Sequence, residues 1–117
     1  MAEPRYCSLL WSHLSNEPLG HVRTCCIAKE RVKDDNGDDF TLGSTSVRDI
    51  FHSSYYKKIR QEIREGKLPD NCEPCWREED NGKRSKRQIY NEYSSWRLDP
   101  KDYSIEPEMP QDMQLIL

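Results

Sequence analysis

The sequence predicts a small α+β fold, in which a β-hairpin is followed by a long amphipathic helix and by a Cys-x-x-Cys turn that leads into a second helix. The 117 residues are 34% hydrophobic and 33% charged, and their mean hydropathy is -1.02. Such a composition supplies few side chains for a core. The chain also contains five cysteines, which can add stability by binding a metal. The fold class predicted is therefore a small cysteine-ligated metal domain.

The first predicted element is the β-hairpin. Its strands are residues 8–14 and 21–27, which are short and moderately β-prone. Between them, Pro18 fixes one backbone angle, and Gly20 can adopt the positive φ that closes a turn. These features predict two antiparallel strands joined by a turn at about residues 15–20.

The second predicted element is a helix over about residues 46–65. Apolar side chains recur there at steps of three and four: Val47, Ile50, Phe51, Tyr55, Ile59 and Ile63. Ser46 is a typical N-cap residue, with Asp49 three residues later as in a capping box. Gly66, followed by Pro69, is typical of a helix end.

The remaining segments of the domain are polar. Residues 29–45 predict a loop that is ordered only by Phe40 and Leu42. A polar helix is predicted over about residues 75–93, and Asn81-Gly82 weakens it in the middle. Its sparse apolar positions are Trp76, Ile89 and Tyr93.

Two regions follow from this reading of the chain. Residues 1–93 form the metal-binding domain, and residues 94–117 form an extended connector that contains Pro100, Pro107 and Pro110. Residues 113–117 resemble the start of a buried strand. The tryptophans Trp11, Trp76 and Trp96 are expected in the core.

Charge and hydropathy exclude several classes of partner. The net charge of -3 is too small to indicate a polyanion or a membrane surface, and no run approaches the roughly 20 apolar residues of a spanning helix. No signal peptide is visible, which predicts a cytoplasmic protein. The basic segment 83–87 could contact nucleic acid, but without interleaved aromatic residues a solvated face is the better interpretation.

The five cysteines indicate metal binding rather than disulfides. Their number is odd, and no export signal precedes them. In the predicted hairpin Cys25 lies opposite Leu10, which leaves Cys7 about 10 Å away along the ribbon. That distance exceeds the reach of a disulfide, about 7 Å between Cα atoms.

The candidate ligands are four thiolates: Cys7, one of Cys25 and Cys26, Cys72 and Cys75. The pair Cys72-Glu73-Pro74-Cys75 lies just before a predicted helix, whose N-terminus favours negative charge. Four thiolates suit tetrahedral zinc and an iron–sulfur cluster equally well. Cys26 is expected to be a small buried side chain rather than a fifth ligand. No nucleophile–base pair or carboxylate dyad indicates an enzyme, so the chain is not expected to be one by itself.

The spacing of these residues also resembles a known family. The motif Cys7-x12-Gly20-x4-Cys25 is followed by Cys72-x2-Cys75, and Gly20-x-Val22-x-x-Cys25-Cys26 lies within it. Together they resemble the SPASM/twitch auxiliary-cluster segment of radical S-adenosylmethionine proteins. The similar stretches are residues 20–26, 42–43, 47–53, 56–60 and 71–76, within about 6–90. The resemblance implies one [4Fe–4S] cluster held by Cys7, Cys25, Cys72 and Cys75. It also implies, as partner, a radical-generating core or a substrate peptide or protein.

The sequence departs from this family at two places. A full SPASM segment continues with further cysteines where Asn81 and Ser85 stand here, which leaves one cluster, as in the shorter twitch type. The CxxxCxxC signature of the radical core is absent from the sequence. The chain is therefore expected to be an auxiliary domain, truncated or encoded separately from its catalytic core. The alternative is a structural zinc module that serves as a protein-interaction adaptor.

Overall fold

The computed structural model describes residues 5–92, 103–104, 106–107 and 115–116, and it confirms the small α+β fold. The elements are α1 (Ser8–Ser12), β1 (Leu14–Asn16), β2 (Val22–Arg23), α2 (Val47–Phe51), α3 (Ser54–Arg64), a 3-10 turn (Asp70–Cys72), α4 (Glu73–Asp80), α5 (Lys86–Glu92) and β3 (Leu115–Ile116). Within the described residues the strands form one sheet in the order β2-β1-β3. β1 is antiparallel to β2 and parallel to β3.

The hairpin is shorter than predicted, and its register is different. Asn16 pairs with Val22 across the turn, where Gly20 adopts a φ of +91° as expected. The Gly20 amide donates a hydrogen bond of 2.8 Å to the carbonyl of Glu17, which closes the turn. The predicted pairing of Cys25 with Leu10 is wrong, because Leu10 does not lie in a strand.

Residues 8–12 form helix α1 instead of the predicted strand. Leu9, Leu10 and Trp11 are consecutive, and they are only 2%, 2% and 3% exposed. A strand would place neighbouring side chains on opposite faces, whereas a helical turn lets all three pack against α3 and α5. A short apolar run of this kind does not distinguish a strand from a buried helix.

The predicted helix over residues 46–65 is divided into α2 and α3. Ser46 caps α2 as predicted, since its Oγ accepts the backbone N–H of Asp49 at 3.1 Å. At Ser53 the backbone is extended (φ -70°, ψ 163°), and α3 begins at the next residue. The apolar positions supply two cores, and the division between them falls within α3: Tyr56 packs with Ile50 and Phe51 of α2, whereas Ile59 and Ile63 pack elsewhere.

Two helices further along the chain end at glycine residues. Gly66 (φ +79°) ends α3 as predicted, and Gly82 (φ +76°) ends α4. In both places the amide after the glycine donates to the carbonyl five residues earlier at 2.9 Å, as in a Schellman motif. The second predicted helix is therefore two helices. α5 begins with a capping box, in which Ser85 and Gln88 each bind the backbone N–H of the other.

Buried apolar side chains of the described residues form two cores. The first joins α1, α3 and α4 and contains Cys7, Leu9, Leu10, Trp11, Ile59, Ile63, Cys75, Trp76 and Tyr103. The second joins the sheet, the polar loop, α2 and the start of α3, and it contains Leu14, Val22, Val32, Ile50, Phe51 and Tyr56. Phe40 and Leu42 pack against the second core as predicted, whereas the burial of Val32 was not expected. The burial of Trp11 and Trp76 is confirmed, and Trp96 lies outside the described residues.

Arg60 connects the two cores, although it is charged and 0% exposed. Its Nε donates to the Leu10 carbonyl at 2.7 Å, and its Nη2 donates to the Phe51 carbonyl at 3.0 Å. Phe51 is the last residue of α2, so this bond satisfies a carbonyl that the helix end leaves free. Nη1 forms an ion pair of 2.9 Å with Glu106.

The predicted connector over residues 94–117 lies mostly outside the described residues, including Pro100 and Pro110. Tyr103 is described, and its ring stacks on that of Tyr6 with 4.3 Å between centroids. The predicted C-terminal strand is found as β3. Within the described part of the chain, every helix is too short or too polar to traverse a bilayer.

Candidate metal centre

Four of the five cysteines line the same pocket, which we name the thiol pocket: Cys7, Cys25, Cys72 and Cys75. All five are free thiols. Cys26 does not line this pocket, and it is exposed rather than buried as the sequence suggested. Its sulfur accepts a hydrogen bond from the side chain of Lys86 instead. The structure thus brings together four of the five candidate ligands and separates Cys26 from them.

Each cysteine of the thiol pocket stands where a regular element begins or ends. Cys7 is the N-cap residue of α1, and Cys25 opens a turn after β2 that the Ala28 amide closes on the Cys25 carbonyl at 3.1 Å. Cys72 ends the 3-10 turn, and Cys75 lies in the first turn of α4. The backbone, rather than long flexible side chains, therefore fixes the four sulfurs.

Asn71 fastens two of these segments to each other. Its backbone carbonyl accepts the N–H of Lys29 at 3.0 Å, and its Oδ1 accepts the N–H of Glu30 at 2.6 Å. The segment that follows Cys25 is thereby fixed to the residue that precedes Cys72. No local pattern in the sequence indicates this contact, because it joins residues that are 41 positions apart.

Burial keeps the thiols protonated in the absence of a metal. It raises the pKa of Cys7 to about 12 and that of Cys25 to about 11, and it also raises the pKa values of Cys72 and Cys75. For Cys7 and Cys72, repulsion from the neighbouring thiolates is the next largest cause. A metal must therefore displace protons from these sulfurs, and its positive charge must offset the repulsion among four thiolates.

Backbone amides partly offset the rise in pKa that burial causes, because they donate hydrogen bonds to three of the thiols. The donors are Leu9 and Leu10 toward Cys7, Ile27 toward Cys25, and Lys86 and Arg87 toward Cys75. Such donors stabilise negative charge on sulfur and tune a metal centre that the sulfurs hold. The pocket is therefore suited to a group whose net charge is negative.

An ion-pair network holds the start of α5 against α4 and Cys75. Arg87 donates two hydrogen bonds to the Glu79 carboxylate, of 2.8 Å and 2.6 Å, and Ser85 Oγ donates a third of 2.6 Å. Arg87 also binds the Tyr6 carbonyl at 2.9 Å. The prediction of a solvated face for the basic segment 83–87 is therefore wrong for Ser85, which is fully buried, and for Arg87, which is largely buried. The Ser85-x-x-Gln88 pattern is the signal that could have placed a helix start here.

The four thiols line one pocket, but they do not converge on a single point. Among the residues that the structure describes, no three Cys, His, Asp or Glu side chains converge closely enough to hold a single metal ion. Four thiols nevertheless surround one pocket. Their number suits an iron–sulfur cluster, in which each corner iron takes its own cysteine.

Comparison with known families agrees with the chemistry of the site. The model of the SPASM family, described as an iron–sulfur cluster-binding domain, matches residues 7–76. This range begins at Cys7, ends one residue after Cys75 and covers more than half of the chain. No curated protein and no solved structure matches the chain significantly. The chain belongs to the SPASM family and is an iron–sulfur cluster-binding domain.

Proposed function

We propose that the chain binds one [4Fe–4S] cluster through Cys7, Cys25, Cys72 and Cys75. The observation that carries this proposal is that the thiols of these four residues, from distant parts of the sequence, line the same pocket. Four cysteine thiolates, one for each iron, are the usual ligand set of a cubane. We leave Cys26 out of the proposed ligand set because its exposed side chain does not line that pocket.

Counting the cysteines supports a single cluster, as in the twitch type. Five cysteines cannot supply four ligands to each of two clusters. Asn81 and Ser85 stand in the stretch in which a full SPASM segment would continue with further cysteines. Asn81 caps the end of α4, and Ser85 caps the start of α5. Both residues therefore have a structural role here.

We further propose that the cluster passes electrons to, or helps to hold a peptide substrate near, a radical-generating core that is not part of these 117 residues. Membership in the SPASM family supports this role, and so does the access to the pocket. Ile27 lines the thiol pocket and is 38% exposed, which brings the rim of the pocket to the surface. An electron partner can therefore approach the cluster closely.

Metal analysis of protein purified without oxygen tests the cluster assignment. We expect about four irons and four sulfides per chain, little zinc, and a broad visible absorbance that bleaches reversibly on reduction. One zinc per chain without colour would replace the proposal by the structural zinc module. A cluster that cannot be reduced and reoxidised would contradict the electron-transfer role and leave only the substrate-holding role.

Two matched variants test the ligand set. Cys72→Ser should lose most of the iron, because one corner of the cluster loses its thiolate. Cys26→Ser removes a cysteine outside the thiol pocket and should keep the iron content of the wild type. Full iron content in the Cys72→Ser variant, together with an unchanged melting transition, would show that the ligands are assigned wrongly.

A further inference from the structure

Thr24 carries the only hydroxyl group among the described residues that line the thiol pocket. Its side chain lines the pocket and is 1% exposed. Among the residues that the structure describes, Thr24 Oγ1 has no hydrogen-bond partner. Within the same residues Asn71 Nδ2 is likewise a buried donor without a partner, but the Oδ1 of that side chain already binds the Glu30 amide. A buried hydroxyl without a partner destabilises a protein, so such a group calls for an explanation.

The local structure explains why this side chain points inward. Val22 in β2 is fully buried, Arg23 is only partly buried, and Thr24 is buried again. This alternation with a period of two places Thr24 on the inner face of the segment, directly before Cys25. The Thr24 hydroxyl is therefore buried in the wall of the thiol pocket and cannot turn toward water.

We propose that the Thr24 hydroxyl donates a hydrogen bond to a sulfur of the cluster bound in the thiol pocket and thereby raises the reduction potential of that cluster. The inference rests on the proposed function. Reduction adds negative charge to the cluster and its sulfurs, so a hydrogen-bond donor stabilises the reduced form more than the oxidised form. Thr24 is a positioning residue for the cluster and not one of its ligands.

Ser8 provides a matched control within the same molecule. It is 0% exposed, and its Oγ likewise has no hydrogen-bond partner in the described part of the chain. Ser8 also stands next to a cysteine of the pocket, Cys7, but it does not line the pocket. The two residues thus share burial and sequence context, and they differ in whether the side chain reaches the pocket.

The test is a redox titration, followed by electron paramagnetic resonance, of the cluster-loaded wild type and three variants. In Thr24→Val the hydroxyl is replaced by a methyl group of similar size. We expect about a fivefold shift of the equilibrium toward the oxidised form, which is a decrease in midpoint potential of about 40 mV at 59 mV per tenfold change. Thr24→Ser keeps the hydroxyl and should retain the wild-type potential, and so should Ser8→Ala.

The outcomes separate this inference from the proposed function. If the wild type binds no iron and sulfide, both are overturned. If the wild type loads normally and Thr24→Val titrates at the wild-type potential, only the inference is overturned. The same holds if Ser8→Ala shifts the potential as much as Thr24→Val does. Should Thr24→Val not load, Thr24→Ala takes its place, and the same decrease is expected relative to Ser8→Ala.

Discussion

The Glu79 carboxylate is the best point at which to test how the thiol pocket is supported. It lies on α4 and accepts three hydrogen bonds of 2.8 Å or less, two from Arg87 and one from Ser85. The side chains of Glu79 and Arg87 are only 8% and 14% exposed. The backbone amide of Arg87 donates to the Cys75 sulfur, so this network positions α5 against one of the proposed ligands.

Glu79→Gln should lower the free energy of unfolding by about 3 kcal/mol. The substitution keeps one acceptor oxygen, but its amide N–H groups face the donors of Arg87, so about two charge-assisted hydrogen bonds are lost. Each of these is worth about 1.5–3 kcal/mol, and breaking one side of a buried ion pair costs about 3–5 kcal/mol. Because this pair keeps some contact with solvent, the lower end of that range applies. The melting temperature should fall by about 10 °C.

The assay is unfolding of the cluster-loaded protein, with iron release to a chelator measured in parallel. Glu73→Gln is the matched control, because Glu73 also lies on α4 and also pairs with an arginine, Arg77. The Arg77 side chain is 67% exposed, so loss of this pair should change stability little. Glu79→Gln should also release iron faster than the control variant does. Equal stability and equal iron release in the two variants would refute the reasoning.

Two further predictions concern the connection between the cores and the thiols themselves. Arg60→Met leaves the carbonyls of Leu10 and Phe51 without their donor, so it should lower the free energy of unfolding in denaturant by about 3–5 kcal/mol. Lys57→Met, on the exposed face of α3, is the control and should change that free energy little. Similar values for the two variants would show that Arg60 does not join the cores. Acidification should promote iron loss, because burial raises the pKa values of the thiols and each released sulfur takes up a proton. The iron retained against a chelator should therefore decrease as the pH falls from about 8 to 6, by about tenfold in affinity per pH unit for each thiol protonated. Retention that does not depend on pH would contradict this.

Local signals in the sequence predicted some of the helix boundaries. Ser46 caps α2 and Gly66 ends α3 as predicted, since each acts through backbone atoms within a few positions. Gly82 was expected only to weaken one helix, but it ends α4. The turn at Gly20 was predictable for the same reason. The spacing of the cysteines identified the family, although it did not distinguish Cys25 from Cys26 as the ligand.

Features that depend on contacts between distant segments were not predictable. The apolar run in α1 fits either a strand or a helix. It forms a helix because α1 packs against α3 and α5, which are distant in the sequence. The break at Ser53 was hidden because the apolar spacing continues across it. Arg60 follows Tyr56 by four positions on the buried face of α3, but a charged residue there is interpreted as exposed unless its carbonyl partners are known.

The position of the cysteines within the first core explains how so polar a chain can fold. Cys7 and Cys75 are themselves members of that core, and Cys25 and Cys72 pack against it. Four protonated thiols fill this space as small apolar groups, but they do not join the segments that carry them. A cluster bound by all four would tie the N-terminus of α1, the turn after β2 and the start of α4 to one rigid group. Its binding energy would thus stabilise long-range contacts that the few apolar residues of this sequence cannot stabilise alone.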